Sequence, residues 1–262
     1  MTSTVPDILA RIVAVKRSNR APSRSTREIW ERQAEQAVAE RRDFRRALES
    51  RPLAIISEIK KASPSKGLLS KDFQPAKIAG QYAAGGAAAL SVLTDEPFFQ
   101  GSLADLQAAR KACSLPVLRK DFTLGETDVL EAAAHGADAI LLIAAILETQ
   151  EIAQLQAAAA RYAMAALVEV HDEAELERAI AAGARVIGVN NRDLSTFAVT
   201  LETSLRLAAR IPAGVIKVSE SGIHSAEDIR ELRSAGFQAF LVGEHLMKSG
   251  DPTEALRALI ES

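Results

Sequence analysis

The sequence predicts an α/β fold, a single (β/α)8 (TIM) barrel carrying an N-terminal helical extension, and three observations carry that prediction. Eight short apolar runs recur along residues 53–242, segments of helical spacing separate them, and a glycine repeatedly falls just before the next run. Parallel strands need a crossover between neighbours, which the helical segments supply. Eight such units favour a closed barrel over an open sheet. No Gly-x-Gly-x-x-Gly follows the first run, which weakens a dinucleotide-binding alternative.

The runs cover 53–59, 88–93, 116–118, 139–143, 166–170, 186–189, 215–218 and 239–242, each rich in β-branched or aliphatic residues. Between them, Leu103, Leu106, Ala109 and Arg110, or Ala174, Leu176, Ala179 and Ile180, fall at helical spacing. Gly86, Gly136, Gly183 and Gly236 close helical stretches, where a left-handed residue is needed. Residues 1–48 differ, being helical and arginine-rich. Ile29, Trp30, Ala34, Ala37, Val38 and Phe44 predict an apolar side that packs on the barrel. Arg27, Arg32, Arg41, Arg42, Arg45 and Arg46 read as a solvated face, with anion binding the alternative. The whole chain, 1–262, is expected to form one domain.

Composition narrows the class. A formal net charge of -2 gives no electrostatic reason to bind nucleic acid or an anionic membrane. The single cysteine, Cys113, excludes an intramolecular disulfide framework and, without a Cys/His cluster, a zinc signature; a reducing cytoplasm fits. The apolar stretch 8–15 is interrupted by Arg11, and no run approaches the roughly 20 residues of a spanning helix. A small-molecule ligand and an unprocessed, soluble chain are therefore expected.

Function is read from the C-terminal ends of the runs, which share one face of a barrel where such folds do chemistry. They end in Glu58 and Lys60, Thr94 and Asp95, Lys120, Glu169, Asn190 and Arg192, Ser219 to Gly222, and Gly243 with Glu244. Glu58 and Lys60 alternate onto one face, as a structural ion pair or a catalytic one. The Ser63-Pro64-Ser65 segment reads as a loop whose hydroxyls and amides suit an anion, or as a plain turn. Alternation separates Lys120 from Arg119, and a desolvated lysine, or one near other cations, has a lowered pKa and acts as an acid. Glu169 lies within an apolar strand and must be paired, with Lys60 or Lys120 as partner. His171 reads as a helix-entry residue rather than a base. Arg192 offers two parallel hydrogen bonds to a carboxylate or phosphate. Ser221, Gly222, Gly243 and Glu244 fall where barrels cradle phosphate, after the seventh and eighth strands.

Together these stretches resemble the indole-3-glycerol phosphate synthase family. The resemblance runs from about residue 53 to the C-terminus, on Glu58-Ile59-Lys60-Lys61-Ala62-Ser63-Pro64-Ser65, the segments 91–102 and 115–122, Leu167-Val168-Glu169-Val170-His171, residues 187–192, and Val218-Ser219-Glu220-Ser221-Gly222-Ile223. It implies cyclisation of 1-(2-carboxyphenylamino)-1-deoxyribulose 5-phosphate with loss of carbon dioxide and water, without cofactor or metal. Lys120 matches the general acid, Glu169 the group that stabilises positive charge and assists proton transfer, and Lys60 with Glu58 the dehydrating pair. Lys60 also lies near the substrate carboxylate. Asn190 and Arg192 match groups that orient the substrate, Phe99 and Phe122 those around its aromatic ring. Ser63, Ser221, Gly222, Gly243 and the Glu244 amide match the phosphate site. The expected partner is a phosphorylated small-molecule substrate, with no nucleic acid or membrane, and the chain is expected to be a monomer with weak association with other tryptophan-pathway enzymes.

Two departures from the family pattern concern local packing or loop motion: Gly125-Glu126-Thr127-Asp128 after the third run, and Lys248 where arginine is common. The rival readings are a phosphosugar isomerase with the same cradle, against which Lys60, Lys120 and Glu169 speak, and a catalytically silent metabolite-binding barrel, for which a proton-transfer residue would have to be missing.

Overall fold

The computed structural model describes residues 7–18, 22–70 and 72–261. Eight parallel strands close into a barrel: β1 (Ala54–Ile59), β2 (Ala89–Leu93), β3 (Val117–Lys120), β4 (Ala139–Ile143), β5 (Ala165–Val170), β6 (Val186–Asn190), β7 (Ile216–Glu220) and β8 (Ala239–Val242). β1 pairs with both β2 and β8, which closes the ring. Each predicted run lies on one of these strands. The third ends at Lys120, the strand end expected of it, so Arg119 and Lys120 are strand residues on opposite faces.

Alternation along the strands builds two apolar layers. Ala54, Ile56, Leu118, Leu141, Leu167, Val218 and Leu241 point inward and fill the barrel. Ile55, Leu90, Ile140, Val168, Ile187 and Phe240 point outward against the helices. Each fully buried aliphatic side chain contributes roughly 1.5–3 kcal/mol, so a one-residue slip in any strand would expose its whole set. Gly86, Gly136, Gly183 and Gly236 all have positive φ, from 75° to 97°, as their place at helix ends predicts.

The extension runs the full height of the barrel; its residues 1–6 and 19–21 lie outside the described residues. Helix Asp7–Ser18 lies over the C-terminal mouth, where Lys16 Nζ stands 2.5 Å from Asp121 and 3.4 Å from Asp95. Helix Arg24–Ala37 packs along helix Glu126–Ala134, with Trp30 edge-on to His135. Helix Phe44–Glu49, capped by Asp43, closes the opposite end with the buried Phe44 and Leu48.

Two expectations for this segment are corrected. Ile29 and Val38 are exposed, because the helix presents Ala34 and Trp30 to the barrel instead. Arg41 and Arg42 are not on a solvated face either. Arg41 donates to the carbonyls of Ala133, Ala137 and Tyr162, and Arg42 to those of Arg110 and Leu115, so both satisfy carbonyls at the foot of the barrel. Arg27 and Arg45 keep the expected role, pairing with Glu31 and Glu49 one turn on. At the 125–128 departure, the Asp128 carboxylate accepts the amides of Leu124 and Gly125 and starts helix Glu126–Ala134 cleanly.

Candidate active site

The C-terminal ends of the strands surround a cavity of about 580 Å³. All thirteen residues singled out from the sequence line it: Glu58, Lys60, Ser63, Phe99, Lys120, Phe122, Glu169, Asn190, Arg192, Ser221, Gly222, Gly243 and Glu244.

Two ion pairs occupy its floor. Lys60 Nζ lies 2.5 Å from Glu58 Oε1, and Lys120 Nζ lies 2.9 Å from Glu169 Oε2. Glu169 therefore takes Lys120, not Lys60, as its partner. Arg119, on the other face of β3, points away and joins Thr94, Asp121 and Glu131. That alternation leaves Lys120 the one strand-end cation of β3 in the cavity.

Lys120 also differs from expectation in its acidity. Burial would lower its pKa, but the Glu169, Glu220 and Glu58 carboxylates outweigh burial and raise it, so the ammonium stays charged. The other cations do not lower it: Arg119 lies on the opposite face of β3, and Lys60 is paired with Glu58. Against burial, Lys120 and His171 hold the Glu169 carboxyl well below its ordinary range.

Glu220, at the end of β7, belongs to this group although it was not among the thirteen. Its Oε2 lies 3.8 Å from Lys120 Nζ, its side chain is buried, and its Oε1 has no hydrogen-bond partner among the described residues. Burial and the Glu169 carboxylate push its pKa up to about 8. The signal was present in Ser219-Glu220-Ser221-Gly222, where serine and glycine drew attention to phosphate and away from the acid between them. Room for two carboxylates is made by two glycines. A Cβ on Gly188 would overlap Glu220 Oε1, and one on Gly243 would overlap Glu58 Oε1. Gly243 thus has a steric role besides the anion-binding one expected of it.

The rim is built from loops. Ala62–Ser63 pairs with Gly67–Leu68 as a small antiparallel hairpin, with residues 64–66 as its turn, in keeping with the turn reading of this segment. Ser221 and Gly222 both take left-handed φ, 67° and 80°, the first unusual for a residue with a side chain. Asn191 secures this turn by donating to Ser219 Oγ and to the Ser221 carbonyl. Glu244 gathers Lys248, Lys66 and Arg192 at 2.7, 3.4 and 3.7 Å. Lys248 thereby performs a charge-balancing role that needs no guanidinium.

The apolar side of the cavity holds Phe99 and Phe122, with ring centroids 6.3 Å apart. Asp95 caps the short helix Glu96–Phe99 that carries the first ring. Ile8, Leu9 and Ile12 of the first helix complete this wall. Sequence reading missed them, since an amphipathic helix does not say which end of the barrel it covers.

A barrel with acid and base pairs at its C-terminal face, a glycine-rich turn after β7 and an aromatic slot defines the class: a (β/α)8-barrel enzyme working by proton transfer on a small molecule. Among solved structures the chain is similar to 3-hexulose-6-phosphate synthase (TM-score 0.62, 20% identity, 79% of this chain and 98% of that one). It is also similar to a thiamine phosphate pyrophosphorylase from Pyrococcus furiosus (TM-score 0.60, 16% identity, 80% and 95%). At such identities these likenesses establish the fold alone. The chain belongs to the indole-3-glycerol phosphate synthase family, carboxy-lyases of tryptophan biosynthesis, whose family model matches residues 9–259. Relatives carrying that name include those of Aromatoleum aromaticum (51% identity over 258 residues, 97% of this chain and 98% of the relative) and Chromobacterium violaceum (50% over 258 residues, 97% and 97%). Among the described residues no helix is long and apolar enough to cross a membrane.

Proposed function

We propose that the cavity residues divide between them the conversion of 1-(2-carboxyphenylamino)-1-deoxyribulose 5-phosphate into indole-3-glycerol phosphate. The observation that carries this division is the presence of two separate Lys–Glu pairs, Lys120 with Glu169 and Lys60 with Glu58, in one cavity. Ring closure and dehydration each need a proton delivered and a charge compensated, and two pairs serve two steps.

In the first step the ring carbon bearing the carboxylate attacks the ketone. Lys120 gives a proton to the carbonyl oxygen as it becomes an alkoxide, which is a far stronger base than an amine, so a well-charged lysine serves as the acid. Glu169 balances the positive charge that develops on the anilino nitrogen. Loss of carbon dioxide returns its bonding pair to the ring and restores aromaticity. In the second step Lys60 protonates the departing hydroxyl and Glu58 takes up the proton released as the pyrrole double bond forms.

Binding falls to the rim. The Ser221 and Gly222 turn, Gly243, the Glu244 amide and Ser63 receive the phosphate, since closely approaching amides favour an anion. Phe99 and Phe122 hold the aromatic ring, while Asn190 and Arg192 orient the polar groups. The chain is read as one domain, because the extension and the barrel both contribute to the cavity, and as a cytoplasmic monomer by analogy with its family. Incubating the purified chain with the carboxyphenylamino substrate should produce indole fluorescence. A substrate that binds unchanged would leave the silent-barrel reading in its place.

A further inference from the structure

Behind Glu169 stands a buried titratable group that the two steps above do not use. His171, just past β5, does not line the cavity. Its Nδ1 lies 2.9 Å from Glu175 Oε2 and its Nε2 lies 3.4 Å from Glu169 Oε1. Glu175 is itself held in place. The same Oε2 accepts the His171 backbone amide at 2.8 Å, and the Glu175 amide donates to Asp172, the cap of helix Glu173–Ala181. Glu175 is buried as well, so its carboxylate has little choice of orientation.

A neutral imidazole has one N–H and one lone pair, and here both ring nitrogens lie near carboxylate oxygens, Nδ1 in a hydrogen bond and Nε2 at ion-pair distance without one. One lone pair would be set against an anion. An imidazolium presents N–H groups to both. The charged groups around the ring agree with that state: Glu169 on its own strand, Glu175 on the following helix, Asp172 at the cap, and Asp193 in the loop after β6, whose carboxyl is kept acidic by the Thr196 and Ser195 amides and, less, by His171. Lys120 is the cation across from it, on the far side of Glu169.

We propose that His171 is a positioning residue: an imidazolium clamped between Glu169 and Glu175 that decides which of the two carboxyls at Lys120, Glu169 or Glu220, is ionised. The proposal rests on the assignment of Lys120 and Glu169 to ring closure. Glu169 faces a cation on each side, Lys120 and His171. Glu220 has Lys120 alone, at the longer distance, and an unpartnered oxygen. The anion therefore resides on Glu169 and the spare proton on Glu220. Without the imidazolium the two carboxyls compete for one lysine, and the proton moves partly to Glu169, which then no longer balances the charge on the substrate nitrogen. Burial works against the charged ring, but Glu169 and Glu175 raise its pKa to about 10. This contribution to stability is complete below the unfolded value near 6.5 and is lost as pH rises through about 10.

The test begins with nitrogen NMR of the histidine-labelled protein, which has only four histidines. His171 is assigned by elimination with His135→Gln, His224→Gln and His245→Gln, so no disruptive variant is needed. Both His171 nitrogens should remain protonated at pH 8; a neutral ring at pH 7 overturns the proposal. Then His171→Gln should lower kcat by about tenfold or more with little change in KM, the pattern of a lost transition-state interaction. It should also raise the acidic limb of the kcat profile by about one unit, as a lost neighbouring cation does. A lower melting temperature with an unmoved profile would make His171 merely structural. Glu169→Gln is the control: if it retains turnover, the underlying assignment of Glu169 fails; if it is inactive while the His171→Gln profile is unmoved, only the proposal fails.

Discussion

Replacing Gly188 with alanine adds one methyl group at the point where β6 faces Glu220. The backbone accepts it, since Gly188 is not among the positive-φ residues and strand alanine recovers roughly 0.5–1 kcal/mol of the entropy that glycine loses. The methyl is the difficulty. It would overlap Glu220 Oε1, approach Glu220 Cδ at 3.1 Å and meet Leu167 Cδ1 at 3.2 Å. Overpacking of this kind typically costs about 1–3 kcal/mol, which nearly cancels the backbone gain at the low end. Stability should therefore fall by no more than about 2.5 kcal/mol, or roughly 5–10 °C in Tm. The carboxyl must move, because it is the movable part of the contact. Its titration should move with it. In the parent, Glu220 loses its proton near pH 8, and the added negative charge further weakens Lys120 as an acid. The kcat/KM profile should then show a falling limb near pH 8, and Gly188→Ala should displace that limb and lower the plateau. Steady-state rates from pH 6 to 9.5, beside thermal melts, decide it. An unchanged limb together with an unchanged plateau would refute the claim that Gly188 exists to seat Glu220.

Lys120→Ala should fold yet lose turnover by roughly 100- to 10,000-fold, as expected for a positioned general acid, and near-parental kcat would remove it from the mechanism. Lys60→Met should weaken a ligand bearing the anthranilate carboxylate more than an analogue lacking it, measured by calorimetry; equal losses would leave Lys60 to dehydration or to structure. Gly222→Ala combines a φ of 80° with a Cβ 2.6 Å from Val199 Cγ1, so inorganic phosphate should compete with substrate far less well in the variant than in the parent. Equal inhibition constants would put the phosphate elsewhere.

Much of the barrel was readable because local rules agree there: aliphatic runs, helical spacing and glycine at the helix end all point to the same units. Strand alternation then placed Glu58, Lys60, Lys120 and Glu169 in one cavity. Other features depend on which strands become neighbours and on what lies behind them. Lys120 acquired raised rather than lowered basicity because closure sets it against carboxylates from β5 and β7, and nothing near residue 120 announces them. Glu220 and the Glu175 carboxylate behind His171 were hidden for the same reason. Arg41 and Arg42 looked like any helix-face arginines, since the carbonyls they satisfy belong to residues 68 to 121 positions further on.

The extension that begins at the mouth and ends beneath the floor also bears on the order in which the chain can assemble. Its first helix is made before any strand of the barrel, but its salt-bridge partners Asp95 and Asp121 follow Lys16 by about 80 and 105 residues, and the pocket it roofs needs Gly222 and Gly243, later still. Until then it has nowhere to dock. The foot of the same extension likewise waits for Asp138 and Tyr162. A segment made before the barrel is thus among the last to find its place, and an active site with its roof on is a sign that synthesis has reached the eighth strand.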